Sequence, residues 1–112
     1  MAANDIGAIR FRQANGATLG AINIMREKYV ALKTVCAVVE QWGYAKHECV
    51  DSLNYLSEAG YVKYRYISGR GAAELSDADW RELEGKLTQK GINLMSGSLR
   101  DPDIDTSEVR HV

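Results

Sequence analysis

The stretch Leu32–Ile67, LKTVCAVVEQWGYAKHECVDSLNYLSEAGYVKYRYI, decides how the rest of this chain is read. Leu32, Val35, Cys36, Val39 and Trp42 recur at spacings of three, one, three and three, which puts them on one face of a helix. Gly43 follows, and glycine ends a helix easily because it enters the left-handed region without a steric penalty. The apolar positions restart at Cys49, Val50, Leu53 and Leu56, again at helical spacing, and Gly60 closes this second run. Tyr61–Ile67 is rich in aromatic and β-branched residues with a period near two, as a strand requires. Two amphipathic helices joined by about three residues around a glycine are expected to cross steeply, so the unit reads as a helix-turn-helix opening into a strand.

The order Leu53-x-x-Leu56-x-x-x-Gly60-Tyr61-Val62 resembles the end of the recognition helix and the first wing strand of winged helix-turn-helix proteins. That resemblance implies an α+β fold, mainly α: a three-helix core, a two-stranded wing and a C-terminal helix. The expected division is a basic arm or short helix over residues 1–17, the winged-helix domain over 18–99, and a polar, disordered tail over 100–112.

A chain of 112 residues is one domain, and 46% apolar with 26% charged residues is the composition of an ordinary globular protein. No apolar run approaches the roughly 20 residues that cross a bilayer. The N-terminus lacks the basic segment and apolar core of a signal peptide, so a cytoplasmic location is expected. Cys36 and Cys49 fall on the inward faces of the two central helices and read as buried, reduced thiols rather than a disulfide. His47 with Cys49 is too small a set for a metal site, and His111 stands in the tail.

The formal net charge of −1 offers no global attraction to a polyanion. Its distribution is uneven. Residues 1–72 carry 9 Lys and Arg against 6 Asp and Glu, and residues 73–112 carry 5 against 9, giving +3 and −4. The positive part holds the helix-turn-helix and the wing tip, which permits nucleic-acid binding.

In chain order, Asn15-Gly16 reads as a break between an N-terminal segment and a helix that Thr18 caps. Arg10 and Arg12 make that first segment basic, either an arm lying along a phosphate backbone or a helix packed on the domain. Leu19, Ile22, Met25 and Tyr29 then line one face of the first core helix. In the third helix, Ala45 to Ala59, the outward positions are Lys46, His47, Glu48, Asp51, Ser52, Tyr55 and Glu58. Lys46, His47 and Ser52 suit groove reading, whereas Glu48, Asp51 and Glu58 carry the wrong sign for DNA. Tyr55 is expected to cover the core with its ring and keep its hydroxyl in water.

In the strand after Gly60, Lys63 and Arg65 are expected to face solvent. Ser68-Gly69-Arg70-Gly71 then reads as a turn presenting Arg70. A wing tip commonly reaches a phosphate or the minor groove, so Arg65 and Arg70 join the expected DNA contacts. Ser76-Asp77-Ala78-Asp79 has capping-box spacing and suggests a short helical insertion that Trp80 anchors, ahead of a strand at about residues 83–88. Thr88 is placed to cap a last helix that Gly97 ends.

Leu87-Thr88-x-x-Gly91-x-x-Leu94, followed by Ser96-Gly97 and Asp101-Pro102-Asp103-Ile104, resembles a family of small winged-helix proteins of Mu-like bacteriophages and prophages, often labelled ArsR-type regulators. It spans roughly residues 19–104 and implies a phage or prophage transcriptional regulator acting as a homodimer on double-stranded DNA. Three departures stand out: a more acidic recognition helix, a longer wing, and no metal-sensing cysteine motif. The chain has no Gly-rich phosphate loop, H-E-x-x-H or paired-cysteine motif, so neither an enzyme nor a cofactor is expected. The alternative function is a winged-helix module that binds a protein partner and not DNA.

Overall fold

A computed structural model describes the backbone of residues 3–107 and the side chains of residues 6–107. Four helices pack with a four-stranded antiparallel sheet in a mainly helical α+β domain. In chain order these are α1 (Ala3–Asn23), β1 (Val30–Ala31), α2 (Leu32–Gln41), α3 (Lys46–Glu58), β2 (Val62–Tyr66), β3 (Ala72–Ala73), β4 (Leu83–Leu87) and α4 (Gln89–Ser96). The sheet order is β1-β4-β2-β3, and β2 and β4 form its centre, with Val62 opposite Leu87 and Tyr66 opposite Leu83.

The helical periodicities hold through the middle of each helix. Leu32, Val35, Cys36 and Val39 of α2 and Cys49, Leu53 and Leu56 of α3 are buried, and Leu19 and Ile22 of α1 complete the three-helix layer. Each fully buried leucine removes enough apolar surface from water to contribute on the order of 2–3 kcal/mol. Gly43, with φ +102°, ends the α2 segment, and Tyr44 N–H returns to the Val39 carbonyl at 3.3 Å. Trp42, expected on the inward face, is instead 42% exposed, because the helix is already unwinding there.

The expected break at Asn15-Gly16 is absent: α1 runs without interruption from Ala3 to Asn23. The reason lies at the other end of the chain. A Cβ on Gly16 would stand 1.6 Å from the Asp105 carbonyl oxygen, so the glycine is there to let another backbone pass. Asp105 N–H donates to the Arg12 carbonyl at 3.0 Å, Asn15 Nδ2 donates to the Asp103 carbonyl at 2.9 Å, and Ile104 is buried. The expected tail therefore begins with a segment packed against α1; residues 108–112 of that tail lie outside the described residues. Thr18 is buried within α1 rather than capping it, and Met25, past its end, is exposed.

The expected strand at residues 83–88 is β4, and Thr88 caps α4, accepting from Gly91 N–H at 3.2 Å and donating to the Gly60 carbonyl at 2.6 Å. Gly97 ends α4 in the left-handed conformation. Between β2 and β4 the chain forms β3, a partner for β2 the sequence did not suggest, and two 3₁₀ turns, Leu75–Asp77 and Trp80–Glu82. Asp79, not Ser76, does the capping: its side chain accepts from Arg81 N–H at 3.0 Å. Strand β1, also unforeseen, pairs Val30 and Ala31 with Gly85 and Glu84.

Candidate functional site

The first turn of α3 carries Lys46 and His47 on its exposed side, beside the turn that Gly43 makes. Four N–H groups at a helix start lack intrahelical partners, so this end is electropositive in its own right. Ala45 has only a methyl group and cannot cap. Glu48 supplies the missing contact from within the helix, its carboxylate accepting from Ala45 N–H at 2.8 Å.

That carboxylate has a second partner. Arg10 reaches across from α1, donating from Nε to Glu48 Oε2 at 2.7 Å and from an η nitrogen to Oε1 at 3.0 Å and the Gly43 carbonyl at 2.8 Å. Its guanidinium also lies 4.5 Å from the centre of the Tyr44 ring. The hydrogen bond from Arg10 holds Glu48 below the usual carboxylate range, against the opposing effect of burial, with Ala45 N–H assisting. Arg10, expected along a phosphate backbone, here ties α1 to the start of α3, and it neutralises one of the three acids that weigh against DNA. Arg12 is half-buried at the cleft under the C-terminal segment, facing away from any free-arm role.

Ser52 is the clearest correction. It is fully buried, its hydroxyl oxygen has no partner among the described residues, and it is not on the surface that a groove-reading side chain needs. Three residues after Cys49 and four before Leu56, it belongs to the inward stripe of α3. Arg65 is engaged as well: Nε donates to Glu84 at 2.5 Å and the guanidinium stacks 3.6 Å from the centre of the Tyr29 ring. Together they cover the outer face of β2 and β4. Arg70 keeps an exposed position at the tip of the β2–β3 turn, its guanidinium 4.2 Å from the centre of the Tyr66 ring.

One cation that sequence reasoning passed over joins Lys46 and His47. The turn Trp80–Glu82 folds back over α2, and Trp80 and Arg81 line a shallow cleft of about 450 Å³ with Lys46, His47, Val50 and Asp51. Asp79 holds Arg81 at 3.1 Å, with both groups substantially exposed. Trp80 is half-buried against the core, as expected of an anchor. Local pattern placed Trp80, but which surface Arg81 would reach depends on a long-range crossing that no spacing encodes.

The hydroxyl of Tyr55, expected in water, instead donates to Asp101 Oδ2 at 2.8 Å, and Tyr61 donates to the same oxygen at 2.6 Å. Asp101 thus ties the segment after α4 to α3 and to the start of β2. Among the described residues no group of three His, Cys, Asp or Glu is placed to hold a metal, and no helix is long and apolar enough to cross a membrane. Set against protein-family models, curated proteins and solved structures, the chain matches none.

Proposed function

We propose that this chain is a winged-helix DNA-binding protein, a transcriptional regulator of phage or prophage type, which engages duplex DNA with the N-terminal turn of α3. The observation that carries this reading is the convergence of Lys46, His47 and Arg81 on one exposed face at an electropositive helix start. Three helices against the antiparallel strands β1, β4 and β2, with the connection between β2 and β4 as the wing, support the winged-helix assignment. Arg70 at the tip of the β2–β3 turn supplies the wing contact. In this arrangement the groove-reading end of a recognition helix is its N-terminal half, where Lys46 and His47 stand.

A second reading rests on a different observation. Ile6 and Ile9, 73% and 46% exposed, leave an apolar edge along the N-terminal half of α1, and Trp42 is also exposed. That edge favours a protein partner. In the DNA-binding reading the partner is a second copy of this chain, giving a homodimer; in the alternative it is another protein and DNA is not bound.

Charge reversal separates the two. Lys46→Glu and Arg81→Glu are each expected to weaken binding to random-sequence duplex DNA and to lower the salt dependence by about one phosphate contact. Arg100→Glu, on the segment beside Asp101, makes the same change in net charge and is expected to do less. Equal losses from all three variants, or none from Lys46→Glu and Arg81→Glu, would refute the assignment of the surface.

A further inference from the structure

Cys36 and Cys49 take no part in the surface described above. They sit where α2 packs on α3, 1% and 0% exposed, among Val35, Val39, Leu53 and Leu56. Both are free thiols, yet their Sγ atoms are only 2.6 Å apart. About half an ångström of approach separates this contact from the ~2.05 Å bond of a disulfide. Two cysteines placed independently for packing have no reason to direct their sulfurs at one another. A pair of alanine- or valine-sized groups would fill the same space.

We propose that Cys36 and Cys49 are a redox-active pair, a modification site that a hydroperoxide oxidises to an intramolecular disulfide fastening α2 to α3. The hydrogen bond between the two thiols lowers the Cys36 pKa against the opposing effect of burial, and the same bond, with burial, raises that of Cys49. With the sulfurs in contact either thiol can attack while the other resolves, and the lowered Cys36 pKa favours Cys36 as the attacker. Its thiolate takes the terminal oxygen of the peroxide, the O–O bond breaks, and the displaced hydroxide takes a proton to leave as water, or as an alcohol from an organic peroxide. The Cys36 sulfenic acid then meets the Cys49 thiol already in contact. The S–S bond forms as the S–O bond breaks, and the hydroxyl leaves as water with the Cys49 proton. Two thiols are oxidised by two electrons and one peroxide is reduced. Burial among apolar side chains restricts the oxidant to small molecules. Contact between the sulfurs makes the second step fast enough to forestall further oxidation.

The test uses the folded, full-length protein treated with hydrogen peroxide, then denatured, alkylated with N-ethylmaleimide and mapped by peptide mass spectrometry, so that methionine oxygens are counted apart. The expected result is a Cys36–Cys49 cross-linked peptide pair lighter by two hydrogens, resistant to alkylation, restored by dithiothreitol, and monomeric on a non-reducing gel. Cys49→Ser, or Cys49→Ala if the first folds poorly, is expected to leave added oxygen on Cys36. Three results would overturn the proposal: full alkylation of both cysteines after peroxide, oxygen adducts on the wild-type cysteines without a cross-link, or cross-links only between chains.

Discussion

Asp101 shows how much one side chain can hold. Its carboxylate accepts from the Tyr55 and Tyr61 hydroxyls and from Asp103 N–H, the last at 2.8 Å. Burial would raise its pKa, but these donors outweigh burial and hold it below the usual carboxylate range. A carboxyl group that resists protonation in the folded state stabilises the fold above its ordinary pKa, near 3.9, and ceases to do so as pH falls through the lower folded value. Tyr61 works at the other limit: burial first, then the bond to Asp101, push it up to about 12, so its contribution is lost as pH rises from about 10 towards that value. Asp101→Ala leaves two tyrosine hydroxyls without their acceptor and is expected to cost about 1–3 kcal/mol at neutral pH. Urea denaturation across a pH series would check both points, since the variant should also lose stability less steeply in acid. A variant with wild-type stability and an unchanged acid limb would show the contacts to be idle. Little of this was legible beforehand. Tyr55 reads as a surface-spanning ring from its helical position, but its acceptor lies 46 residues away. Ser52 was misplaced for a narrower reason: a small hydroxyl looks like a surface residue, yet it completes the stripe of Cys49, Leu53 and Leu56.

Among the elements, α2, α3, β2, β4 and α4 were readable because each carries its own period, cap or glycine stop. Helix α1 was not. Asn15-Gly16 has the chemistry of a turn in isolation, and only the docked segment around Ile104 turns it into a saddle within a continuous helix. Gly91 does the same for α4, where a Cβ would come 2.2 Å from the Tyr61 carbonyl. Gly16→Ala leaves helix propensity improved but cannot coexist with the Asp105 carbonyl. It is expected to detach residues 103–105 and lose the burial of Ile104, roughly 2 kcal/mol. Trypsin cleavage after Arg100 should then accelerate, with a lower urea midpoint. Unchanged cleavage and midpoint would mean that the close approach contributes nothing. The connection between β2 and β4 was legible as an insertion with a tryptophan anchor, but its two 3₁₀ turns and the extra strand β3 depend on pairing partners distant in sequence.

At the scale of the whole molecule, a net charge of −1 says little, because the charges are sorted rather than mixed. Glu48 is matched by Arg10 and Glu84 by Arg65, which removes two acids from the account by pairing them with two cations first expected to touch DNA. Lys46, His47 and Arg81 remain exposed together, although Arg81 is paired with Asp79 and shares its cleft with Asp51, and Arg70 remains exposed at the tip of the β2–β3 turn. In the proposed DNA-binding role, affinity arises from a few phosphate contacts and their released counterions. The most direct measurement is fluorescence anisotropy of random-sequence duplex DNA titrated with the wild-type protein at several salt concentrations. The expected result is binding at low salt whose log affinity falls linearly with log salt, with a slope of roughly −3 for contacts by Lys46, Arg70 and Arg81. Flat anisotropy at high protein concentration and low salt, or binding indifferent to salt, would contradict it.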